Sequence, residues 1–142
     1  MRSEEKNLWL PAESKARIEA WVNEGYPNET CGLLIGKRNG AAIDVREVVV
    51  ARNLNVERAQ DRFELDPKDF LAADEKARAE GLELVGCWHS HPNHRARPSP
   101  TDREFAWAGW CYLIASVTRD GIAELRSFYF DGDKFSEQLI EP

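Results

Sequence analysis

The chain has no apolar run long enough to span a bilayer. Its charged start, Met1-Arg2-Ser3-Glu4-Glu5-Lys6, lacks the apolar stretch of a signal peptide, so we expect a cytoplasmic protein rather than a membrane or secreted one. Cysteine is scarce and odd in number. Cys31, Cys87 and Cys111 stand far apart among apolar neighbours and read as reduced core thiols more than as a disulfide framework or a zinc cage. A basic tail is also missing: the formal net charge is -6 over 142 residues, which argues against general affinity for nucleic acid or anionic lipid. There is no repeat, low-complexity segment or linker, and the length suits one domain spanning 1–142. Histidine is as rare as cysteine, and the three that exist fall within six residues.

Those histidines mark the most informative stretch. The apolar run Leu84–Trp88 leads into His89-Ser90-His91, the pattern of a buried strand that presents its last residues at a sheet edge or cleft, with Pro92 expected to stop the ladder. Alternation puts His89 and His91 on one face and Ser90 on the other, so two imidazoles could share a metal ion. Asp102 follows eleven residues after His91, across a loop with Pro92, Pro98 and Pro100 that could deliver it as a third ligand. Ser99-Pro100-Thr101-Asp102 also scans as a helix-capping box, and a His-x-His pair is often only a polar pair near a surface. The residues alone leave both readings open.

The rest of the chain reads as alternating strands and helices. Leu8–Leu10 suits a short strand, and a helix opening at Pro11 runs to about Asn23 and stops at Gly25. Thr30–Ile35 reads as a buried strand, Lys37–Gly40 as a hairpin turn, and Ala42–Val50 as the returning strand. A polar loop over Asn53–Arg62 precedes a short strand, Phe63-Glu64-Leu65. A second helix starts at Asp66-Pro67 and closes at Gly81, with an apolar stripe of Phe70, Leu71 and Ala77. A third starts at Ser99 or Thr101, carries Phe105, Ala106 and Trp107, and ends at Gly109. Strands over Tyr112–Val117, Ile122–Phe130 and Lys134–Ile140 complete an α/β (α+β) domain: a mixed sheet packed by about three helices. Trp88, Trp107, Trp110 and Tyr112 are expected in the core rather than on a substrate platform.

His89-Ser90-His91, seven residues, then Ser99-Pro100-Thr101-Asp102 resembles at every defined position the His-Ser/Thr-His-x7-Ser-x-x-Asp signature of the JAMM (MPN+) metalloproteases. Pro27-Asn28-Glu29-Thr30-Cys31-Gly32-Leu33-Leu34-Ile35-Gly36 resembles that family's glutamate and the glycine-containing strand after it, and similarity in element order covers about residues 8 to 130. The resemblance implies the family's cytidine-deaminase-like architecture and one Zn2+ per chain held by His89, His91 and Asp102. It further implies Glu29 as general base towards water and Ser99 as an oxyanion donor. The substrate it implies is the C-terminal tail of a ubiquitin-like protein, cut at a peptide or isopeptide bond.

Members that cut between two linked ubiquitins commonly carry an insertion after the aspartate-bearing helix, and the tight passage from Trp110–Val117 to Ile122–Phe130 leaves no room for it. The chain is therefore similar to compact prokaryotic members acting on β-grasp sulfur carriers. The tail is expected to lie extended beside a sheet edge, flanked by Asn53–Arg62. Arg95 and Arg97, with Arg103, form a basic patch that would hold carboxylates of the carrier or leaving group. A homo-oligomer is compatible with the sequence. A non-catalytic MPN scaffold is the alternative, though such members usually lack parts of the metal motif. A zinc deaminase is excluded by the absence of His-x-Glu and Pro-Cys-x-x-Cys.

Overall fold

A computed structural model describes residues 6–55, 58–59 and 64–142. The elements are β1 (Leu8–Trp9), α1 (Ala12–Gly25), β2 (Cys31–Asn39), β3 (Ala42–Ala51), α2 (Pro67–Ala79), β4 (Glu83–Pro92), α3 (Pro100–Glu104), β5 (Cys111–Thr118), β6 (Gly121–Phe130), β7 (Phe135–Gln138) and β8 (Ile140–Glu141). The expected mixed sheet with three helices is what forms. Its eight strands run in the order β7-β6-β5-β4-β2-β3-β1-β8, antiparallel except where β4 meets β5 and where β1 meets β3 and β8. Strands β7 and β8 stand at opposite ends of that order although only Leu139 separates them in the chain, so the sheet curls until its ends meet. Among the described residues no helix is long and apolar enough to cross a membrane.

The two long helices cover opposite faces. On one, Ile18 and Val22 of α1 pack on Leu34, Val48, Val85, Trp88 and Leu113, and Trp21 stacks on Trp88 with ring centroids 5.6 Å apart. On the other, α2 buries Ala73 and Ala77 against Leu33, Ile35, Cys87 and Tyr112. The stripe expected from Phe70, Leu71 and Ala77 is thus corrected: the small alanines let α2 approach the sheet, while Phe70 is half-buried and Leu71 is exposed.

Three expected boundaries move. Lys37 and Arg38 are strand residues, paired with Asp44 and Ile43, and the turn is confined to Gly40 and Ala41, with Gly40 at φ 65°. Pro92 does not stop the ladder; it stands opposite Val117 in the register of β5, and Asn93 N–H continues the link by donating to the Val117 carbonyl. The third helix ends at Glu104, well before Gly109, because Ala106 N–H closes on the Arg103 carbonyl only three residues back and Trp107 N–H goes to the Tyr112 hydroxyl. Of the expected strand Phe63-Glu64-Leu65, Leu65 forms a single bridge to Asn53, and Phe63 lies outside the described residues, as do residues 56–57 and 60–62 of the preceding loop.

Candidate metal centre

Strand alternation places the two histidines as expected. In β4 the odd-numbered Cys87, His89 and His91 share the α2 face, while Trp88 and Ser90 face α1. His89 Nε2 and His91 Nε2 are 3.1 Å apart, with both residues buried. Asp102 Oδ2 completes a triangle, 3.3 Å from His89 Nε2 and 3.2 Å from His91 Nε2. These three are the group of potential ligand atoms found among the described residues.

Asp102 serves as cap and cluster member at once. Its N–H donates to Ser99 Oγ at 3.0 Å, and its Oδ2 accepts from Ser99 N–H at 2.9 Å, a reciprocal capping box. The two readings that compete in the sequence are one geometry. Because the cap fixes the carboxylate relative to the backbone, the side chain arrives at the histidines already oriented. Ser99 Oγ accepts in this cap and keeps its own proton to donate.

Glu29 lies two residues ahead of the neighbouring strand, β2. Cys31 pairs with His89 across the antiparallel β2–β4 ladder, and Thr30 and Ser90 extend it: Ser90 N–H donates to the Thr30 carbonyl at 3.0 Å and Thr30 N–H donates to Ser90 Oγ at 2.9 Å. Glu29 is therefore the residue flanking His91, on the same face, and it is buried. Its carbonyl accepts from Asn53 Nδ2 at 3.1 Å, tying it to the start of the loop after β3.

The triangle fits a tetrahedral metal. Zinc bonds of about 2.0–2.2 Å place neighbouring ligand atoms about 3.3–3.6 Å apart, so the cluster needs to open by no more than about 0.5 Å. The electrostatics favour positive charge at its centre. Burial pushes the Asp102 carboxyl up, but the His89 charge and hydrogen bonds from His89, His91 and the Ser99 amide outweigh it and hold the acid well below the usual carboxylate range. Burial pulls His91 down; hydrogen bonds with Asp102 and the Arg95 carbonyl, together with the Asp102 and Glu29 charges, carry it above the ordinary imidazole value.

None of the cysteines joins the cluster. All three are free and buried, as expected. Burial, with the Glu29 and Asp69 charges adding, pushes Cys31 up to about 12, and burial takes Cys111 to about 12 as well. They stay protonated packing residues.

A cavity of about 1440 Å³ opens over the cluster. The register of β4 with β5 orders its walls: Tyr112 lies level with Cys87 and Trp110 beyond it, while His94, Arg95 and Arg97 follow His91 at the other end. The donor atoms thus sit between an aromatic end and a cationic end. Trp88 is core, fully buried, but Trp107 is 54% exposed and joins Trp110 and Phe70 in the aromatic wall, which corrects the expectation that these rings pack inside. A helix stopping at Glu104 is what leaves Trp107 on the rim.

Arg95 and Arg97 line the cavity, with Arg95 Nε 3.7 Å from Glu124 Oε1. Arg103 leaves the patch expected for it; its guanidinium lies over the Phe130 ring and donates to the Asp133 carbonyl. Among the described residues β4 is paired on both sides, by β2 and β5, and β2 by β4 and β3. Sequence reasoning had no signal for the Arg95 carbonyl, which accepts from His91 Nδ1 at 2.8 Å.

Residues 11–131 match the model of a family described as prokaryotic homologs of the JAB domain. The chain is 36% identical over 140 residues to the desampylase of Haloferax volcanii, covering 94% of each protein. It is 31% identical over 101 residues to the "Probable TtuB-protein conjugate cleaving protease" of Thermus thermophilus, covering 70% of this chain and 64% of that protein. Among solved structures, a Desulfitobacterium hafniense protein superposes with a TM-score of 0.81 at 32% identity over 94% of this chain and 90% of its own. A Salinibacter ruber protein gives 0.69 at 32% identity with the same coverage.

Proposed function

The chain belongs to the prokaryotic homologs of the JAB domain and is a JAMM-type hydrolase, and on that footing we propose that it is a zinc-dependent peptidase or isopeptidase that cuts after the C-terminal tail of a ubiquitin-like, β-grasp carrier. The observation that carries the zinc assignment is the triangle of His89 Nε2, His91 Nε2 and Asp102 Oδ2 at 3.1–3.3 Å, one imidazole–imidazole–carboxylate set with a cavity in front of it. The relatives' names, desampylase and conjugate cleaving protease, support the substrate class.

Bound zinc supplies Lewis-acid polarisation of a carbonyl and acidification of water. His89, His91 and Asp102 would hold it. Glu29, buried and on the histidine face, takes a proton from the attacking water and passes it to the leaving amine, and its confinement beside His91 keeps that transfer short. Ser99 donates its hydroxyl proton to the developing oxyanion while its oxygen continues to cap α3. Because both β2 and β4 have their ladders filled, the tail is held by side chains of the cavity walls and by the segment after β3, whose start is tied down by Leu54 N–H donating to the Glu64 carbonyl at 2.8 Å. Arg95 and Arg97 face carboxylates of the carrier or leaving group.

Metal analysis of the purified chain and mass spectrometry of products from zinc-loaded protein incubated with carriers bearing C-terminal extensions or lysine conjugates test the reading. Glu29→Gln is expected to bind zinc as wild type does and to lose cleavage by about 10²–10⁴-fold. Cleavage that survives this substitution contradicts the mechanism, and a full zinc load with no cleavage of any carrier favours a scaffold.

A further inference from the structure

The loop between β4 and α3 is braced less by its prolines than by one peptide plane. The Arg95 carbonyl accepts from His91 Nδ1 at 2.8 Å, and the Ala96 N–H donates to Glu124 Oε1 at 2.9 Å. These two groups belong to the same peptide unit. Among the described residues the cis peptide bond is Tyr26–Pro27, so the Arg95–Ala96 unit is trans, with C=O and N–H pointing in opposite directions from one rigid plane. Turning either end turns the other.

The neighbourhood leaves the plane little freedom. Ala96 is 1% exposed, packed on Ile114 and Phe128. Ser116 Oγ donates to the His94 carbonyl at 2.5 Å. Glu124, on β6, pairs with Arg126 Nε through its other oxygen, Oε2, at 3.3 Å, a contact separate from the one Oε1 makes to Ala96. A carbonyl only accepts, so its bond to His91 keeps a proton on Nδ1 and leaves the Nε2 lone pair aimed at the cluster.

We propose that Glu124 is a positioning residue for the metal site, acting through the Arg95–Ala96 peptide to fix the tautomer and ring orientation of His91. The inference rests on the zinc reading above, because the direction of Nε2 matters only if that atom is a ligand. Partners of this outer kind typically govern 10–100-fold of metal affinity. Glu124 stands one bond further out, so about tenfold is expected.

The test is zinc affinity, measured by competition with a chromogenic chelator, together with the His91 Nδ1–H signal in nitrogen-resolved NMR of the zinc-loaded chain. Glu124→Ala is expected to bind zinc about tenfold more weakly and to lose the protected signal. Glu124→Gln keeps an acceptor for Ala96 N–H and should stay within about threefold of wild type. Glu124→Asp keeps the charge but falls a methylene short, so it should behave like the alanine variant, which separates the hydrogen bond from simple electrostatics and serves if the alanine variant folds poorly. Arg126→Ala, which leaves the Ala96 contact in place, should bind as wild type. Wild-type affinity in both the alanine and aspartate variants overturns the relay alone, as does equal weakening by Arg126→Ala. A wild-type chain that binds no zinc overturns the relay and the zinc reading together.

Discussion

Ser90→Ala isolates the tie between the strand that carries the histidines and the one that follows Glu29. Ser90 is fully buried and turned away from the His89–His91–Asp102 cluster, where its hydroxyl oxygen accepts both the Thr30 N–H at 2.9 Å and the Thr30 hydroxyl at 3.2 Å. Alanine removes that hydroxyl and leaves in place the main-chain bond from Ser90 N–H to the Thr30 carbonyl. The Thr30 hydroxyl can rotate to another partner; its amide cannot. One stranded, largely buried amide costs about 1–3 kcal/mol. With a urea slope of about 2 kcal/mol per molar, the unfolding midpoint should fall by about 0.5–1.5 M.

The same change loosens Glu29 relative to His91 without touching a donor atom. Zinc affinity should hold while kcat drops by about tenfold, since small misplacements of a catalytic group are costly. Ser90→Thr, which retains the hydroxyl, should recover most of both losses. Urea melts, chelator competition and steady-state kinetics on one preparation decide it. An unchanged midpoint would refute the energetic argument, and zinc affinity falling in step with kcat would refute the claim that the strands are coupled through Thr30 rather than through the metal.

Three further outcomes follow from the geometry. In the metal-free chain Asp102 is depressed, so its contribution to stability is present above about pH 4 and lost as pH falls through its lower folded value, whereas His91 is raised, so its contribution is full below about pH 6.5 and lost as pH rises through its folded value. Thermal melts of metal-free protein should therefore peak between those limits, and the zinc-induced rise in Tm should grow from pH 5 to pH 8; a gain independent of pH would argue against competition between proton and metal. Arg95→Ala with Arg97→Ala should raise KM and leave zinc affinity alone, because the Arg95 carbonyl is main chain; unchanged kinetics on an intact carrier would remove both residues from substrate binding. Gly32→Ala would drive a methyl into the Val49 carbonyl and the Trp88 indole, breaking the 3.0 Å bond between them, and should destabilise by about 1–3 kcal/mol in a chemical melt; a neutral result would mean that β3 yields more easily than its buried packing suggests.

What was legible in the sequence follows the range of the physics involved. Alternation is local, so the shared face of His89 and His91 could be read from spacing, and the capping box at Ser99–Asp102 could be read as a cap. That the cap also delivers a carboxylate to the histidines depends on where the loop returns, which the Ala96 plug and the Val117 carbonyl decide from another strand. Glu29 was reachable only through the motif, because its place beside His91 is set by a β2–β4 register sixty residues apart in sequence. Phe105–Trp107 reads as helix in the sequence because propensity and apolar content say nothing of the Tyr112 hydroxyl that captures Trp107 N–H. Pro92 reads as a stop because the rule for proline weighs its missing N–H and not the residue across from it.

The C-terminal ribbon gives the protein a separation of risks. Leu139 is the hinge at which one ribbon leaves β6 and joins β1, with Leu8 N–H donating to the Leu139 carbonyl and Leu10 N–H to Glu141. If that ribbon peels away, β6 and β1 lose their covers and present bare amides and carbonyls, the usual template for chains to stick to one another. The histidines lie two strands in from β6 and three from β1. Damage at the ribbon should therefore register first as aggregation of molecules whose histidine cluster is still intact, and the cluster should come apart only when the interior strands themselves part.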